Sequence, residues 1–135
     1  MNNIKKLLVL TVVFALSAAK PVFADVIGFA DFKKIENNYT YAQKAYKEID
    51  DKILGLQQYL INKDKEYKAK EDAVLKLKLQ KEAEIFNNIQ TASKIVSAQK
   101  KVDVVFDYRV ILTGGVDLTQ DIINYLNNNK LPQQK

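Results

Sequence analysis

The side chains that most often carry out covalent chemistry are missing from this sequence. Its 135 residues include no histidine and no cysteine, which removes the usual nucleophile–base pairs and most transition-metal sites. Gly114-Gly115 has neither the spacing nor the following Lys-Ser/Thr of a phosphate-binding loop. Acids stand side by side at Asp50-Asp51 and Glu71-Asp72 and could in principle exchange protons. Adjacent carboxylates on a solvated helix are, however, far more often plain surface. The chain is therefore read as a non-enzyme, with no cofactor and no metal.

What remains is the chemistry of attraction. Between Lys44 and Lys101 there are thirteen lysines against nine acids, a surplus of four positive charges; the other residues from 25 onward hold five bases and seven acids. The densest stretch, Lys63, Lys65, Lys68, Lys70, Lys76, Lys78 and Lys81, is opposed by Asp64, Glu66, Glu71 and Asp72. One reading is a solvated helical surface laced by i,i+4 pairs. The other is long-range attraction to acidic client chains or a transient contact with anionic lipid surfaces, weakened by salt. Apolar residues near these lysines supply adaptable contacts: Tyr59, one position off the helical seam, Tyr67, and Leu77, opposite Leu75 and Leu79. The expected contact surface is thus Lys63, Lys65, Lys68, Lys70, Lys76 and Lys78 with Tyr59, Tyr67 and Leu77. No nucleic-acid partner is expected.

These side chains need helices to present them. Thr40-Tyr41-Ala42-Gln43 fits a capping box. From there Ala42, Tyr46, Ile49, Ile53, Leu56, Leu60 and Tyr67 recur at heptad spacing, and Leu75, Leu79, Phe86, Ile89, Ser93 and Val96 form a second stripe with Glu82 on the same face. The helical zone spans 40–101. As one straight helix it would extend ~93 Å and strand the two ends of the chain far apart. Folded into a hairpin it gives two arms of ~45 Å, with the tip near 68–74, a polar stretch without a seam residue.

The ends read as a small β body. Val26 to Phe32 has strand length and composition and leads through one or two helical turns to Asn37-Asn38, making 25–39 the first body segment. In 102–129, Val102 to Asp107 and Val110 to Thr113 are expected strands, joined by Tyr108-Arg109. Gly114-Gly115 supplies a turn, and Asp117 caps a last amphipathic helix. Phe29, Phe32, Val104, Phe106, Ile111, Leu118, Ile122 and Leu126 are assigned to the body core, with Thr40 and Asp117 as helix caps; 130–135 is a tail.

Residues 1–24 read differently from all of this. Lys5 and Lys6 precede the uncharged run Leu7 to Leu16, and Val22-Phe23-Ala24 ends in a small residue before Asp25. That order is the pattern of a secretory signal. Ten apolar residues span only ~15 Å of helix against a ~30 Å hydrocarbon core, too short to cross a membrane. A cut after Ala19 would leave Pro21 too near the new terminus, so cleavage is expected after Ala24. Removing 24 residues leaves 111 and takes away three lysines, so the formal charge falls from +5 to +2. An exported chain of this size without cysteine has no disulfide to reinforce a thin core, and oligomerisation is the common remedy.

Together these features resemble the Skp/OmpH family of periplasmic chaperones. The likeness lies in the signal segment, in Ile27-Gly28-Phe29-Ala30-Asp31-Phe32-Lys33-Lys34-Ile35, in the charged helical middle, in Val104-Val105-Phe106-Asp107, and in Gly114-Gly115-Val116-Asp117-Leu118-Thr119. It spans the chain after the signal, but only the two ends carry specific motifs. The helical zone is several heptads shorter than is usual in that family, and no basic lipopolysaccharide-site residues can be matched. The resemblance implies an α+β fold: a small β body of three short strands and short helices per chain bears a long helical hairpin arm, and three chains form a jellyfish-like homotrimer. It also implies a periplasmic holdase that keeps unfolded outer-membrane proteins between its arms without ATP. The alternative is an exported structural or adhesive coiled-coil protein at the cell surface, which would have no need of a β body.

Overall fold

The computed structural model describes residues 25–61, 66–129 and Leu131. It is a mixed α/β structure whose four α-helices accompany a small, wholly parallel sheet of three strands. Strand β1 (Ile27–Ala30) lies in the middle of the sheet, between β2 (Val104–Asp107) and β3 (Val116–Asp117). The register pairs Ile27 with Val104 and Phe29 with Phe106 on one side, and Gly28 with Val116 on the other. Val26 extends the first ladder, because its carbonyl accepts from Asp103 N–H at 2.9 Å and its own N–H donates to Asp103 Oδ2 at 2.7 Å.

Helix α1 (Phe32–Asn38) starts where the Asp31 carboxylate accepts from Lys34 N–H at 2.9 Å. Its one fully covered side chain, Ile35, enters the core. Helix α2 (Thr40–Ile61) follows at once and packs against the much longer α3 (Tyr67–Lys100). The two run antiparallel, since Tyr41 meets Glu84 near one end while Leu60 and Tyr67 share a groove near the other. Lys101 closes α3 in the left-handed conformation at φ 55°, an ordinary way to end a helix although usually taken by glycine.

The core forms where α3, α4 (Thr119–Asn128), α1 and the sheet meet. Ile85, Ile89, Ala92 and Val96 of α3 face Leu118, Ile122, Ile123 and Leu126 around α4, and the small Ala42 and Ala45 let α2 approach closely. Gly28 marks the tightest contact: a methyl group there would lie 2.7 Å from Val102 Cγ1 and 3.2 Å from Leu118 Cδ1. Burial stops abruptly along the helical pair. Among the described side chains, none from 50 to 61 and none from 66 to 83 is buried.

Four sequence expectations are corrected. Val110 to Thr113 is not a strand. The Asp107 carboxylate accepts from Arg109 N–H at 3.0 Å and holds the guanidinium at 2.8 and 2.9 Å, which turns the chain into a 3₁₀ helix over Tyr108–Val110. The third strand comes later, after Gly114 and Gly115 at φ 77° and 91° have turned the chain back to β1. The helical zone does not turn near 68–74, which lies within α3. Helix α2 ends at Ile61 and α3 opens at Tyr67, around a run without any apolar residue, so the two helices have 22 and 34 residues rather than equal lengths. The Thr40 capping box does not form either. Gln43 sends its side-chain amide to the Asn37 carbonyl at 2.7 Å and its N–H to that of Tyr39, while Thr40 N–H is capped from α4 by Asn127 Oδ1 at 2.9 Å. Finally, Val104 and Phe106 are not core residues of the single chain; at 36% and 42% exposure they stand on the bare face of the sheet.

Candidate functional site

Tyrosines tie α2 to α3 and to α1. Tyr41 of α2 donates its hydroxyl to Glu84 of α3, a carboxylate only 7% exposed. Gln80 Nε2 donates to the same carboxylate at 3.1 Å, while Lys81 Nζ donates to the Tyr41 hydroxyl at 3.2 Å, lies 3.8 Å from Glu84, and sits over the Tyr41 ring. The Tyr41 bond and the amide hold Glu84 ionised below the usual carboxyl range, against the opposing effect of its burial. Burial and the same carboxylate push the Tyr41 phenol up, and the bond to Tyr41 pushes up Lys81. A second clasp joins α2 to α1, where Tyr46 donates to Glu36; burial and that carboxylate push Tyr46 up to about 12. Tyr39 adds a third tie, accepting from Asn88 Nδ2 at 3.1 Å.

Beside these clasps lies an open cleft of about 1030 Å³ between α1, α3 and the β2 edge. Its apolar floor comes from Phe32, Ile85, Ile89 and Val105, with Phe86 on its wall; Lys33, Lys94 and Arg109 face Asp31, Glu36, Glu82, Asp103 and Asp107 around the rim. Arg109 is committed to Asp107, whose carboxyl it holds down to about 2. Farther along the pair, Ile53, Leu56, Leu60, Tyr67, Val74 and Leu75 line a shallower groove of about 280 Å³.

The residues expected to contact clients scatter along this surface. Lys63 and Lys65 lie outside the described residues, as does the Tyr59 side chain. Lys68 and Lys76 are exposed on α3. Lys70 pairs with Glu66 at 2.7 Å and Lys78 with Glu82 at 3.8 Å, both across one helical turn and largely solvated, so each pair adds little to stability. Tyr67 is half-buried in the shallow groove.

Leu77 is a correction. It is half-buried, whereas Leu75 and Leu79, assigned to the seam, are 54% and 59% exposed, and Phe86 is 64% exposed. The heptad stripe is sound at its body end, where Ile89, Ser93 and Val96 are buried. From Phe86 outward its apolar members on α3 are exposed, and Lys70, Val74, Leu77 and Lys81 are partly covered instead.

Of the residues assigned to the body core, Leu118, Ile122 and Leu126 are buried, Phe32 packs against the cluster, and Phe29 and Ile111 are half-covered. Asp117 accepts from Thr119 N–H at 2.9 Å and so starts α4; the Thr119 hydroxyl in turn accepts from Asp31 N–H at 2.9 Å. Sequence reasoning missed the Tyr41–Glu84 clasp and the cleft. Glu84 had a legible signal, as an acid four positions from Gln80 and three from Lys81, but its partner is 43 residues away.

Among the described residues no helix is long and apolar enough to cross a membrane, and no group of acids could hold a metal ion. No family model matches the chain, and no curated protein matches it.

Proposed function

We propose that this chain is an exported holding chaperone which binds unfolded outer-membrane proteins and prevents their aggregation without ATP, as the Skp/OmpH resemblance implies. The observation that supports this reading best is the sheet. It brings the two motif-bearing ends of the chain together, 27–30 against 104–107 and 116–117, at the root of a helical pair in whose outer part none of the described side chains is fully buried. In this reading the pair is an arm and its sparsely covered apolar residues are the holding surface. Residues 1–24 direct the chain to the periplasm and are removed after Ala24.

The same reading makes the protein a homotrimer. The sheet leaves Ile27, Val104 and Phe106 partly exposed on one face, and the loop beyond it carries Val110 at 66% and Leu112 at 100% exposure. Isolated apolar surface is ordinary, but a contiguous patch on a short sheet with open edges invites burial against further copies.

The test is direct. Residues 25–135, purified and mixed without nucleotide with a urea-denatured outer-membrane barrel protein, should suppress light scattering on dilution at about one trimer per client, and should sediment as a trimer. Undiminished aggregation at several-fold excess would refute the holdase reading; a monomer at micromolar concentration would refute the assembly.

A further inference from the structure

The cleft at the root of the helical pair is too large for any one side chain to fill. It encloses about 1030 Å³, at the upper end of the volumes that bound organic molecules occupy. Its wall on α3 is one continuous helix face, on which Glu82, Phe86, Ile89, Ser93 and Ser97 follow at steps of three and four. From Glu82 to Ser97 that face runs ~22 Å. Phe86 is 64% exposed on it, and Phe32 and Val105 in the floor are only partly covered. Around the rim stand five acids and three bases, a surplus of two negative charges.

We infer that in the full chain this cleft receives residues 1–24, with the apolar run Leu7 to Leu16 against the α3 wall and the lysines beside it at the acidic rim. Three features select this occupant. The first is attachment. The segment joins the described chain at Asp25, and the next residue, Val26, donates its N–H at 2.7 Å to Asp103, which itself lines the cleft. Leu16 lies nine residues before Asp25, a reach of up to ~30 Å. The second is length. Ten residues span ~15 Å as a helix and ~33 Å extended, so the ~22 Å wall is matched by a run of this size. The third is charge. Residues 1–24 carry Lys5, Lys6 and Lys20 and no acid, opposite in sign to the rim. Attachment also gives the segment an effective concentration on the order of millimolar, ahead of any free partner. The exposed Val110 and Leu112 of a second copy would bring no such charge, because the neighbouring Arg109 is spent on Asp107. The contact is therefore self-blocking: the cleft is closed while 1–24 are attached and opened by their removal. No client enters into it, so it stands independently of the holdase reading.

The chain has no cysteine, so a single introduced thiol reports on one place. Lys94→Cys puts it in the cleft, and Thr91→Cys puts it on an exposed part of α3 away from the cleft. Each variant is made as 1–135, by cell-free translation without membranes so that 1–24 stay attached, and as 25–135. All four chains are labelled with a bulky maleimide at one pH and at two chain concentrations. Labelling at position 94 should be about tenfold slower in 1–135 than in 25–135, as expected when the open form is about a tenth of the population, and the two chains should label alike at position 91. Adding Leu10→Asp/Val13→Asp to the 1–135 chain should restore fast labelling at 94. Equal rates at 94 in the two lengths overturn the inference, and so does protection that survives the Leu10→Asp/Val13→Asp change. Protection that extends to 91 makes the effect a general occlusion, and protection that grows with chain concentration makes a second copy the occupant; either result overturns it as well. A failure of 25–135 to protect a denatured barrel protein would sink the holdase reading and leave this result untouched.

Discussion

Replacing Tyr41 with Phe removes one oxygen from the root of the helical pair and leaves the ring in place. That oxygen donates to Glu84 and accepts from Lys81 at 3.2 Å. Glu84, 7% exposed, would keep Gln80 at 3.1 Å and Lys81 at 3.8 Å, so it is weakened rather than orphaned. The loss should therefore match one charge-assisted hydrogen bond, about 2 kcal/mol, and not the several kcal/mol of a stranded buried charge. For a domain of this length that corresponds to a fall in Tm of about 8 °C. Urea denaturation followed by circular dichroism at fixed protomer concentration measures it, the concentration being fixed because assembly would shift apparent stability. Glu84→Gln and the double variant complete a cycle, in which a coupling of about 1 kcal/mol or more is expected for groups in direct contact. The sign with pH follows from Glu84. Its folded carboxyl titrates below the ordinary 4.5, so its stabilisation is present above that pH and lost as pH falls through the lowered value. The gap between parent and Tyr41→Phe should narrow on acidification over that range. A Tyr41→Phe variant within about 0.5 kcal/mol of the parent at neutral pH, the range of an inconsequential surface change, would refute the clasp.

The alkaline side gives the mirror case. Tyr46 is pushed from 10.0 up to about 12, and Tyr39 and Tyr41 are raised as well. The neutral phenols therefore stabilise the fold fully below pH 10 and progressively less as pH climbs toward 12; a pH titration of stability should show this fall, and Tyr46→Phe should flatten it. At the sheet, Gly28→Ala places a methyl 2.7 Å from Val102 Cγ1 and should cost about 1–3 kcal/mol by overpacking, read in the same denaturation assay. An unchanged midpoint would mean that β1 does not pack on Val102 as described.

The elements most legible in the sequence were those whose signal is local. The strands at the two ends, the amphipathic last helix and the Asp117 cap each rest on neighbours within a few residues, and so do the long helical stretches. Errors arose where a side chain took a hydrogen-bond partner other than the one its local pattern suggests. Val110 to Thr113 has strand composition, but Asp107 captures Arg109 and bends the chain first. The Gln43 side chain, suited to a capping box, is taken by the Asn37 carbonyl while Asn127 caps Thr40. The stripe at Leu75 and Leu79 has the right period for a seam, yet α3 keeps Val74, Leu77 and Lys81 partly covered there, a neighbouring stripe of the same period. Nothing within either helix alone reveals that Tyr41 and Glu84 meet.

The central strand of the sheet has a consequence in time. β1 is the first of the described elements along the chain, yet its two neighbours are among the last of them, the nearest contact spanning 77 residues of chain. The helical pair can form early, from contacts local in sequence, while β1 waits with both edges open until 104–107 and 116–117 have arrived. Such late, long-range pairing is the slow step of folding. A chain truncated after α3 would lose α4 together with both partners of β1, so the body is completed only once 104–128 have been made.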